Sequence, residues 1–563
     1  MYPNLSKAPP TAPTLAELYT PKLLTVLREG YDLARLRRDA VAGLTVAIVA
    51  LPLSMAIAIA SGATPAQGLV TAIIGGFLVS ALGGSRYQIG GPAGAFIVLV
   101  AATVAQHGMD GLILATFLSG LMLAAAGALR LGTFVKFIPF PVTVGFTAGI
   151  AVIIFASQIK PLLGLTLAGA EPGPLAEKLP VLWAALPTVT PAAVAVSAGT
   201  VAVILGLKAA RPHWPGMLVA VALAAAAAGG LGLPVATIGS QFGGIPNTLP
   251  MPHLPALTLA RVVEVLPAAL SFTLLGAIES LLSAVVADGM TGRRHRSNCE
   301  LVAQGVANVG SALFGGFCVT GTIARTATNV RAGAHGPVAG MLHALFLLLF
   351  MLLAAPLAAY IPLAALAGVL AVVAWNMIEK PAIATLLRAG WGDAVVLGAT
   401  FLLTVFRDLT EAIVVGFALG SVLFIHRMSR ATAVETNSPF VAEDRADSPR
   451  GGEAPAQDPG VVVYRISGVF FFGAAASIGS VLDRISTDHR ALVVDFAACP
   501  FLDSTGANTI EGLAHKAARQ GVRLYVTGAA PDIRRVLLTH GVRPPQVIYL
   551  PAVADALEAE HTA

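Results

Sequence analysis

The sequence predicts an all-α polytopic membrane domain of about fourteen spanning segments, followed by a small α/β domain. Three observations predict this class. Of the 563 residues, 56% are hydrophobic and 12% are charged, and the mean hydropathy is +0.79. Long apolar runs recur from Ala40 to about Met428. The composition becomes polar directly after Arg430. Most of the chain is therefore expected to face lipid.

The same changes in composition predict the domain boundaries. Residues 1–38 are expected to form a cytoplasmic N-terminal segment, and residues 39–430 the transmembrane transport domain. Residues 431–460 are acidic and rich in Pro and Gly, which is typical of a linker. Residues 461–563 are expected to form a soluble cytoplasmic domain.

The expected spans are apolar runs, of which several are shorter than the roughly 17–25 residues of a regular span. They lie near residues 40–60, 65–82, 91–106, 111–129, 138–158, 191–207, 216–233, 263–287, 299–314, 320–330, 337–357, 361–378, 393–406 and 409–427. Lys and Arg fall in alternate connections, which the positive-inside rule assigns to the cytoplasm. With an even number of spans, both termini are expected to be cytoplasmic, in a bacterial-type inner or plasma membrane.

The composition argues against several other function classes. The net charge of +5 is spread over loop ends rather than gathered on one soluble face, which disfavours a nucleic-acid partner. The three cysteines, Cys299, Cys318 and Cys499, are too far apart to indicate a disulfide framework or a metal site. The sequence shows no nucleotide-binding loop and no nucleophile–base pair, so we expect neither an enzyme nor a cofactor.

The soluble domain alternates strand and helix patterns, which predicts a small α/β layer structure. Strands are expected at residues 461–466, 491–496 and 522–526, and helices at 475–486, 505–519 and 531–540.

Two spans are interrupted by Gly and Pro at matching positions. One opens with the sequence Ile89–Ile97 and the other with Cys318–Thr326, and each is followed by only a few helical turns. They are the third elements of two halves of seven segments, where a 7+7 inverted repeat has its discontinuous helices. Two half-helix N-termini that face each other would bind an anion through backbone N–H groups. The alternative is that each Gly-Pro stretch is an ordinary turn.

Two charged residues are expected at membrane depth, Glu279 and Arg325. Each costs about 2.5–3.5 kcal/mol on insertion scales unless it is paired or lines a wet cavity. Glu279 and Ser283 are about one turn apart on one helix face, which suits binding a proton or a small cation beside an anion. The alternatives are a Glu279–Arg325 ion pair that holds two segments together, and an Arg325 that either attracts substrate or only packs.

Three stretches make the sequence familiar. Residues Gly276–Met290, Gly315–Asn329 and Gly91–Ala95 together resemble the SulP family of sulfate permeases and related anion exchangers. Asp495 followed by the Phe501–Gly506 stretch resembles the STAS domain that these transporters carry. The likeness extends over nearly the whole chain from about residue 30.

The resemblance implies a UraA-like inverted repeat, with a core of segments one to four and eight to eleven that moves against a gate by an elevator motion. It also implies a homodimer in the lipid membrane. The anion would lie between the starts of segments three and ten, with the coupling residues Glu279 and Ser283 beside it. The substrate-binding residues would be Ala93, Gly94, Gly321, Thr322, Ile323 and Arg325.

The chain departs from the pattern of the sodium-coupled bicarbonate members of this family. Those have Asp in place of Glu279, Thr in place of Ser283 and Thr near Ala93. The departure weakens the case for sodium coupling and favours a proton-coupled or an exchange mechanism. In the STAS-like part, Asp503, Ser504 and Thr505 resemble a phosphorylatable regulatory loop, although Asp and Ser at a helix start also form an ordinary cap.

The function that the sequence predicts is secondary active transport of a small anion, such as sulfate, bicarbonate or a dicarboxylate, by proton symport. An anion exchanger and a passive anion channel are the alternatives. A membrane-anchored signalling protein that senses anions is a further one.

Overall fold

The computed structural model describes residue 14 and residues 18–133, 139–169, 171–211, 214–407, 409–430, 433–436, 460–471 and 490–562. The chain divides into two compact units, Met1–Phe417 and Ala418–Ala563. The first contains the predicted membrane spans except the end of the last, and the second contains the α/β domain.

The first half of the membrane unit is helical. Its helices are Lys22–Arg28 (α1), Leu33–Ala60 (α2), Pro65–Val70 (α3), Gly76–Leu82 (α4), Ile97–Ala128 (α5), Phe140–Leu163 (α6), Leu175–Ala184 (α7), Pro191–Ala210 (α8), Gly216–Leu231 (α9) and Ile238–Phe242 (α10). A two-residue strand, Gly90–Gly91 (β1), precedes α5. Asp32 caps α2 by accepting from the Arg35 N–H at 2.8 Å, which satisfies one of the free donors of the first turn.

The second half of the membrane unit is helical as well. Its helices are Leu259–Thr291 (α11), Ser297–Leu313 (α12), Ile323–Arg331 (α13), Val338–Ala358 (α14), Leu363–Met377 (α15), Lys380–Ala389 (α16), Trp391–Phe406 (α17) and Leu409–Arg430 (α18). A second short strand, Thr320–Gly321 (β2), precedes α13.

Each of the fourteen predicted apolar runs contains a helix, and the described residues include nine helical stretches long and apolar enough to cross a membrane. The number of helices that do cross stays a prediction. The helical parts of the two runs predicted at 91–106 and 111–129 both belong to α5. Gly108, with a φ of 69°, breaks the helical backbone between them. Because this backbone conformation suits glycine, the break follows from the residue itself.

The membrane helices pack in two groups. In one, α5 lies against α11 and α12, and α2 lies against α14. In the other, α6 lies against α15 and α17, and α8 against α9 and α15. Small residues allow the close approach: a Cβ on Gly120 of α5 would lie 2.7 Å from the Gly305 carbonyl oxygen of α12. The abundance of glycine therefore serves helix packing, as expected in a membrane.

The α/β unit has a five-stranded sheet in the order β3-β4-β5-β6-β7, with β3 antiparallel and the other strands parallel. Its elements are Ala433–Thr436 (β3), Val461–Ser467 (β4), Ala491–Asp495 (β5), Ser504–Gln520 (α19), Arg523–Thr527 (β6), Pro531–Thr539 (α20), Val547–Leu550 (β7) and Val553–Thr562 (α21). The predicted strands and the last two predicted helices are confirmed. The helix predicted at 475–486 lies outside the described residues, and β3 lies within the segment predicted as linker.

Candidate functional site

The two interrupted segments meet in the membrane unit. Strands β1 and β2 pair in antiparallel fashion, with Gly90 opposite Gly321 and Gly91 opposite Thr320. The Thr322 N–H also donates to the Ile89 carbonyl oxygen at 3.0 Å. The structure therefore brings together two Gly-containing stretches that are far apart in the sequence, and a helix begins after each one.

The start of α5 has free backbone donors. Ala93 is extended, with φ −115° and ψ 145°, and a single 3-10 turn over Gly94–Phe96 leads into the helix. In the described part of the chain, the N–H groups of Gly94 and Ala95 have no acceptor. A Cβ on Gly94 would lie 3.4 Å from Ile154 Cδ1 of α6 and 3.6 Å from Met377 Sδ of α15. This start thus faces the second group of helices.

The start of α13 is similar. Thr322 is its N-cap residue but forms no side-chain capping bond; its hydroxyl donates to the Ile89 carbonyl oxygen at 3.2 Å instead. Among the described residues, the N–H groups of Ile323, Ala324 and Arg325 have no acceptor. Ile323 is 37% exposed, so the helix end is open. Unpaired N–H groups at a helix start attract anions.

Arg325 is buried beneath the first of these strands. Its Nη2 donates to the Ser54 hydroxyl of α2 and to the Pro92 carbonyl oxygen, both at 3.2 Å. Its Nε and Nη1 have no hydrogen-bond partner among the described residues, and a Cβ on Gly91 would overlap Nη1. The side chain, 1% exposed, thus packs against Gly91 and Pro92 in the stretch that leads to α5.

Glu279 lies on α11 and is partly exposed. Within the described residues its carboxylate forms no hydrogen bond and no ion pair, so the alternative of a Glu279–Arg325 ion pair is wrong. Because an unpaired carboxylate within a membrane-spanning helix is costly, Glu279 is a candidate functional residue.

Ser283, the second predicted coupling residue, does not have a free hydroxyl group. It is fully buried, and its hydroxyl donates to Thr326 Oγ1 at 3.0 Å, which also accepts from the Ile89 N–H at 3.1 Å. Ser283 therefore ties α11 to α13 and to the stretch before β1.

Sequence reasoning missed a second carboxylate on the adjacent helix. Glu300 of α12 is fully buried and accepts from Ser85, Gln88 and Gln304. Its signal in the sequence was a charged residue inside the apolar run 299–314, followed by polar residues every three or four positions.

The regulatory loop predicted in the α/β unit forms a helix cap. Asp503 accepts from the Gly506 N–H at 2.8 Å at the start of α19, and Ser504 and Thr505 are exposed. No cluster of three or more His, Cys, Asp or Glu side chains that could hold a metal occurs in the described ranges.

The fold and the site together define a polytopic membrane protein of the class in which two half-helices meet inside the helical unit. Residues 36–400 match the sulfate permease family, and residues 454–549 match the STAS domain. The chain belongs to the sulfate permease family and carries a C-terminal STAS domain. It is therefore an integral membrane transport protein and not an enzyme.

Named relatives agree with this assignment. The chain is 39% identical to the putative sulfate transporter YvdB of Bacillus subtilis over 519 residues, which are 91% of this chain and 95% of YvdB. It is 31% identical to the bicarbonate transporter BicA of Picosynechococcus over 514 residues, which are 89% of this chain and 90% of BicA.

Solved structures are similar as well. The transmembrane domain of a cyanobacterium bicarbonate transporter BicA matches with a TM-score of 0.61 and 32% identity, covering 69% of this chain and 98% of that one. The structure of SLC26A9 matches with a TM-score of 0.83 over 96% of this chain and 93% of that one. At 17% identity, the second likeness is one of fold.

Proposed function

We propose that this protein is a secondary active transporter that carries a small anion between the starts of α5 and α13, coupled to a proton. The observation that carries the proposal is the β1–β2 pair, which joins two helix starts whose first N–H groups have no acceptor among the described residues. Backbone donors and helix dipoles stabilise negative charge without a cation in direct contact.

The site residues of this proposal are backbone groups and small side chains. The anion would contact the two helix starts, and Arg325 would add positive potential from behind Gly91 and Pro92. The contacting residues would be Ala93, Gly94, Gly321, Thr322 and Ile323. Such a site selects by charge and size. The names of the relatives support sulfate and bicarbonate as candidates, and a small dicarboxylate, which like sulfate is a dianion, is a third candidate.

Glu279 is the proposed coupling site. A charge at membrane depth without a partner is costly, and a bound proton removes that cost. Proton binding to Glu279 as the anion binds would couple the two. Ser283 would act indirectly, since its hydroxyl holds Thr326 of the half-helix. If Glu279 carries no proton, the same site would serve an anion exchanger or a channel.

The proposed motion is an elevator movement of the group containing α2–α5 and α11–α14 against the group containing α6, α8, α9, α15 and α17. Gly94 supports it, because apolar side chains of α6 and α15 face it at van der Waals distance and no described hydrogen bond ties Gly94 to them. A homodimer with both termini in the cytoplasm completes the proposal.

The test is uptake of radiolabelled sulfate, bicarbonate and fumarate into proteoliposomes, with and without an inward proton or sodium gradient. Accumulation of one anion against its gradient, driven by protons, is the expected result. Saturable flux that needs only a counter-anion would indicate that the protein is an anion exchanger and not a symporter. Flux that never exceeds equilibrium would indicate a channel.

The STAS domain is proposed to be regulatory, with Asp503, Ser504 and Thr505 as its exposed control point. A phosphate on Ser504 would lie at the N-terminus of α19, where the helix dipole favours it. Removing residues 440–563 should leave uptake present but change its rate. Loss of all flux in a correctly folded membrane unit would favour the signalling alternative.

A further inference from the structure

Helix α12 carries a line of buried polar side chains. Glu300, Gln304, Asn308 and Ser311 follow one another at intervals of four, four and three residues, and none is more than 2% exposed. We call them the polar face of α12. Residues at this spacing lie on one side of a helix. Inside a membrane unit, buried polar groups have to find partners within the protein.

The C-terminal half of this face forms hydrogen bonds with the residues that precede β2. Asn308 Nδ2 donates to the Val319 carbonyl oxygen at 2.8 Å, and the Val319 N–H donates to Asn308 Oδ1 at 2.9 Å. The Ser311 hydroxyl donates to the Phe317 carbonyl oxygen at 2.7 Å. Asn308 thus gives Val319 both of the backbone bonds that a neighbouring strand would provide, directly before Thr320 and Gly321.

The N-terminal half forms hydrogen bonds with the residues that precede β1. Glu300 Oε2 accepts from the Ser85 N–H at 3.0 Å, and Glu300 Oε1 accepts from Gln88 Nε2 at 2.9 Å. The same Gln88 nitrogen donates to the Ser280 carbonyl oxygen of α11 at 3.0 Å. The stretch that leads to Gly90 is therefore attached both to α12 and to the helix that carries Glu279.

The polar face is poorly suited to a purely stabilising role. In the described part of the molecule Glu300 has no cationic partner, and the side-chain oxygens of Gln88 and Gln304 have no donor. A buried carboxylate held only by neutral donors adds little stability compared with apolar packing. What these bonds do determine is where the two strands lie, since both strands are attached to one rigid helix.

We infer that the polar face of α12 is a positioning element that sets the separation of the two half-helix starts and thereby the size of anion that the site accepts. This inference rests on the proposed function. Asn308 and Ser311 hold the α13 side, and Glu300 holds the α5 side. None of them contacts the anion in the proposed site, so their effect on transport passes through the backbone of β1 and β2.

The most informative variants are Asn308→Asp and Ser311→Ala. Asp at 308 keeps the acceptor for the Val319 N–H but places a second oxygen against the Val319 carbonyl oxygen. Ser311→Ala removes a single hydrogen bond and keeps the helix. The matched control is Gln158→Ala on α6, where a buried carboxamide donates, in the part of the chain that the structure describes, only to Ile154 and Ser157 of its own helix.

The readout is the ratio of the inhibition constants of two anions of different size, sulfate and bicarbonate, measured against uptake of the transported anion. We expect this ratio to change on the order of tenfold in Asn308→Asp and severalfold in Ser311→Ala, and to stay within about twofold in Gln158→Ala. An unchanged ratio in both variants, with KM and maximal rate altered no more than in the control, would overturn the inference.

Hydrogen exchange of the full-length protein gives a second, independent readout. Asn308→Asp and Ser311→Ala should increase exchange at residues 317–326, and Gln158→Ala should not. If the wild-type protein transports none of the anions, the proposed function fails, whereas exchange at 317–326 still tests the positioning role. Exchange in this stretch equal to that of the wild type would contradict it.

Discussion

Glu279 and Glu300 lie on successive helices of the membrane unit and have opposite surroundings. Glu300 is fully buried and accepts three hydrogen bonds from Ser85, Gln88 and Gln304. Glu279 is partly exposed and has no hydrogen bond or ion pair within the described residues. The contrast fits the two roles proposed above: Glu300, which has partners, holds backbone in place, and Glu279, which has none among the described residues, is the proposed coupling site.

The largest expected effect comes from Glu279→Gln. Glutamine keeps the shape and cannot bind and release a proton, so proton-driven accumulation should fall to the level of empty liposomes. The free energy of unfolding should change by less than about 1 kcal/mol, because no described hydrogen bond is lost. Uptake and thermal unfolding in detergent measure the two quantities.

The matched control is Glu264→Gln on the same helix, where the carboxylate is exposed and pairs with His107 at 3.1 Å. It should keep proton-driven uptake. Equal loss of uptake in both variants would remove the special role of Glu279.

Glu300→Ala should lower the free energy of unfolding, which Glu279→Gln leaves nearly unchanged. The Ser85 and Gln304 donors lose their acceptor inside the protein, while Gln88 keeps its bond to the Ser280 carbonyl oxygen. Each loss costs about 1–3 kcal/mol, so the free energy of unfolding should fall by about 2 kcal/mol or more. Thermal unfolding of the purified protein checks this. A variant that is as stable as the wild type yet transports nothing would assign to Glu300 the coupling role proposed for Glu279.

Gly91→Ala tests the position of Arg325. A Cβ at residue 91 would overlap Nη1, while Nη2 of the same guanidinium is held by its hydrogen bonds to Ser54 and Pro92. We expect a roughly tenfold loss of anion affinity, equivalent to about 1.4 kcal/mol. Gly199→Ala on α8 is the control, because a Cβ there meets nothing within 4 Å. Equal affinities in the two variants would show that the guanidinium position is unimportant.

The last comparison concerns Glu560, a buried carboxylate of the α/β unit. It accepts from Arg523 at 2.6 Å and from the Tyr525 hydroxyl at 2.7 Å. Burial, and secondly this hydrogen bond, raise the pKa of Tyr525 from 10.0 to about 12. The stabilisation by the Tyr525 proton is therefore complete below pH 10 and is lost as the pH rises towards 12.

Tyr525→Phe should accordingly lower the free energy of unfolding by about 1–2 kcal/mol at about pH 8. The difference between variant and wild type should shrink as the pH rises from 10 to about 12. Urea unfolding followed by far-UV circular dichroism measures it. A difference that does not depend on pH would show that the Tyr525 hydroxyl makes no contribution through its proton.

The helices were predictable because their signals are local. The apolar runs, including the gap between 106 and 111 where Gly108 lies, and the Gly-containing stretches before α5 and α13 are all readable from neighbouring residues. That the two helix starts come together followed from their matching positions in the two halves, whereas the strands β1 and β2 were not predicted. The strand β3 was not predictable, since the polar and Pro-rich sequence around it is typical of a linker and its order comes from pairing with β4.

The partners of the charged residues were not predictable in the same way. The bond from Ser85 to Glu300 joins residues 215 positions apart, and the bond from Arg325 to Ser54 joins residues 271 apart. The expected pairing of Glu279 with Arg325 was chemically reasonable, yet packing directs the guanidinium to Ser54 and Pro92. Charge at membrane depth indicates that a residue matters, and only the fold shows what it contacts.

Binding of the anion between the starts of α5 and α13 can be tested directly by locating a heavy analogue. Anomalous diffraction from crystals grown with selenate, after selenate is shown to compete for uptake, gives its position. We predict a peak within hydrogen-bonding distance of the N–H groups of Gly94 or Ala95 and of Ile323 or Ala324. A peak at another place in the membrane unit, with none between these helix starts, would contradict the proposed site.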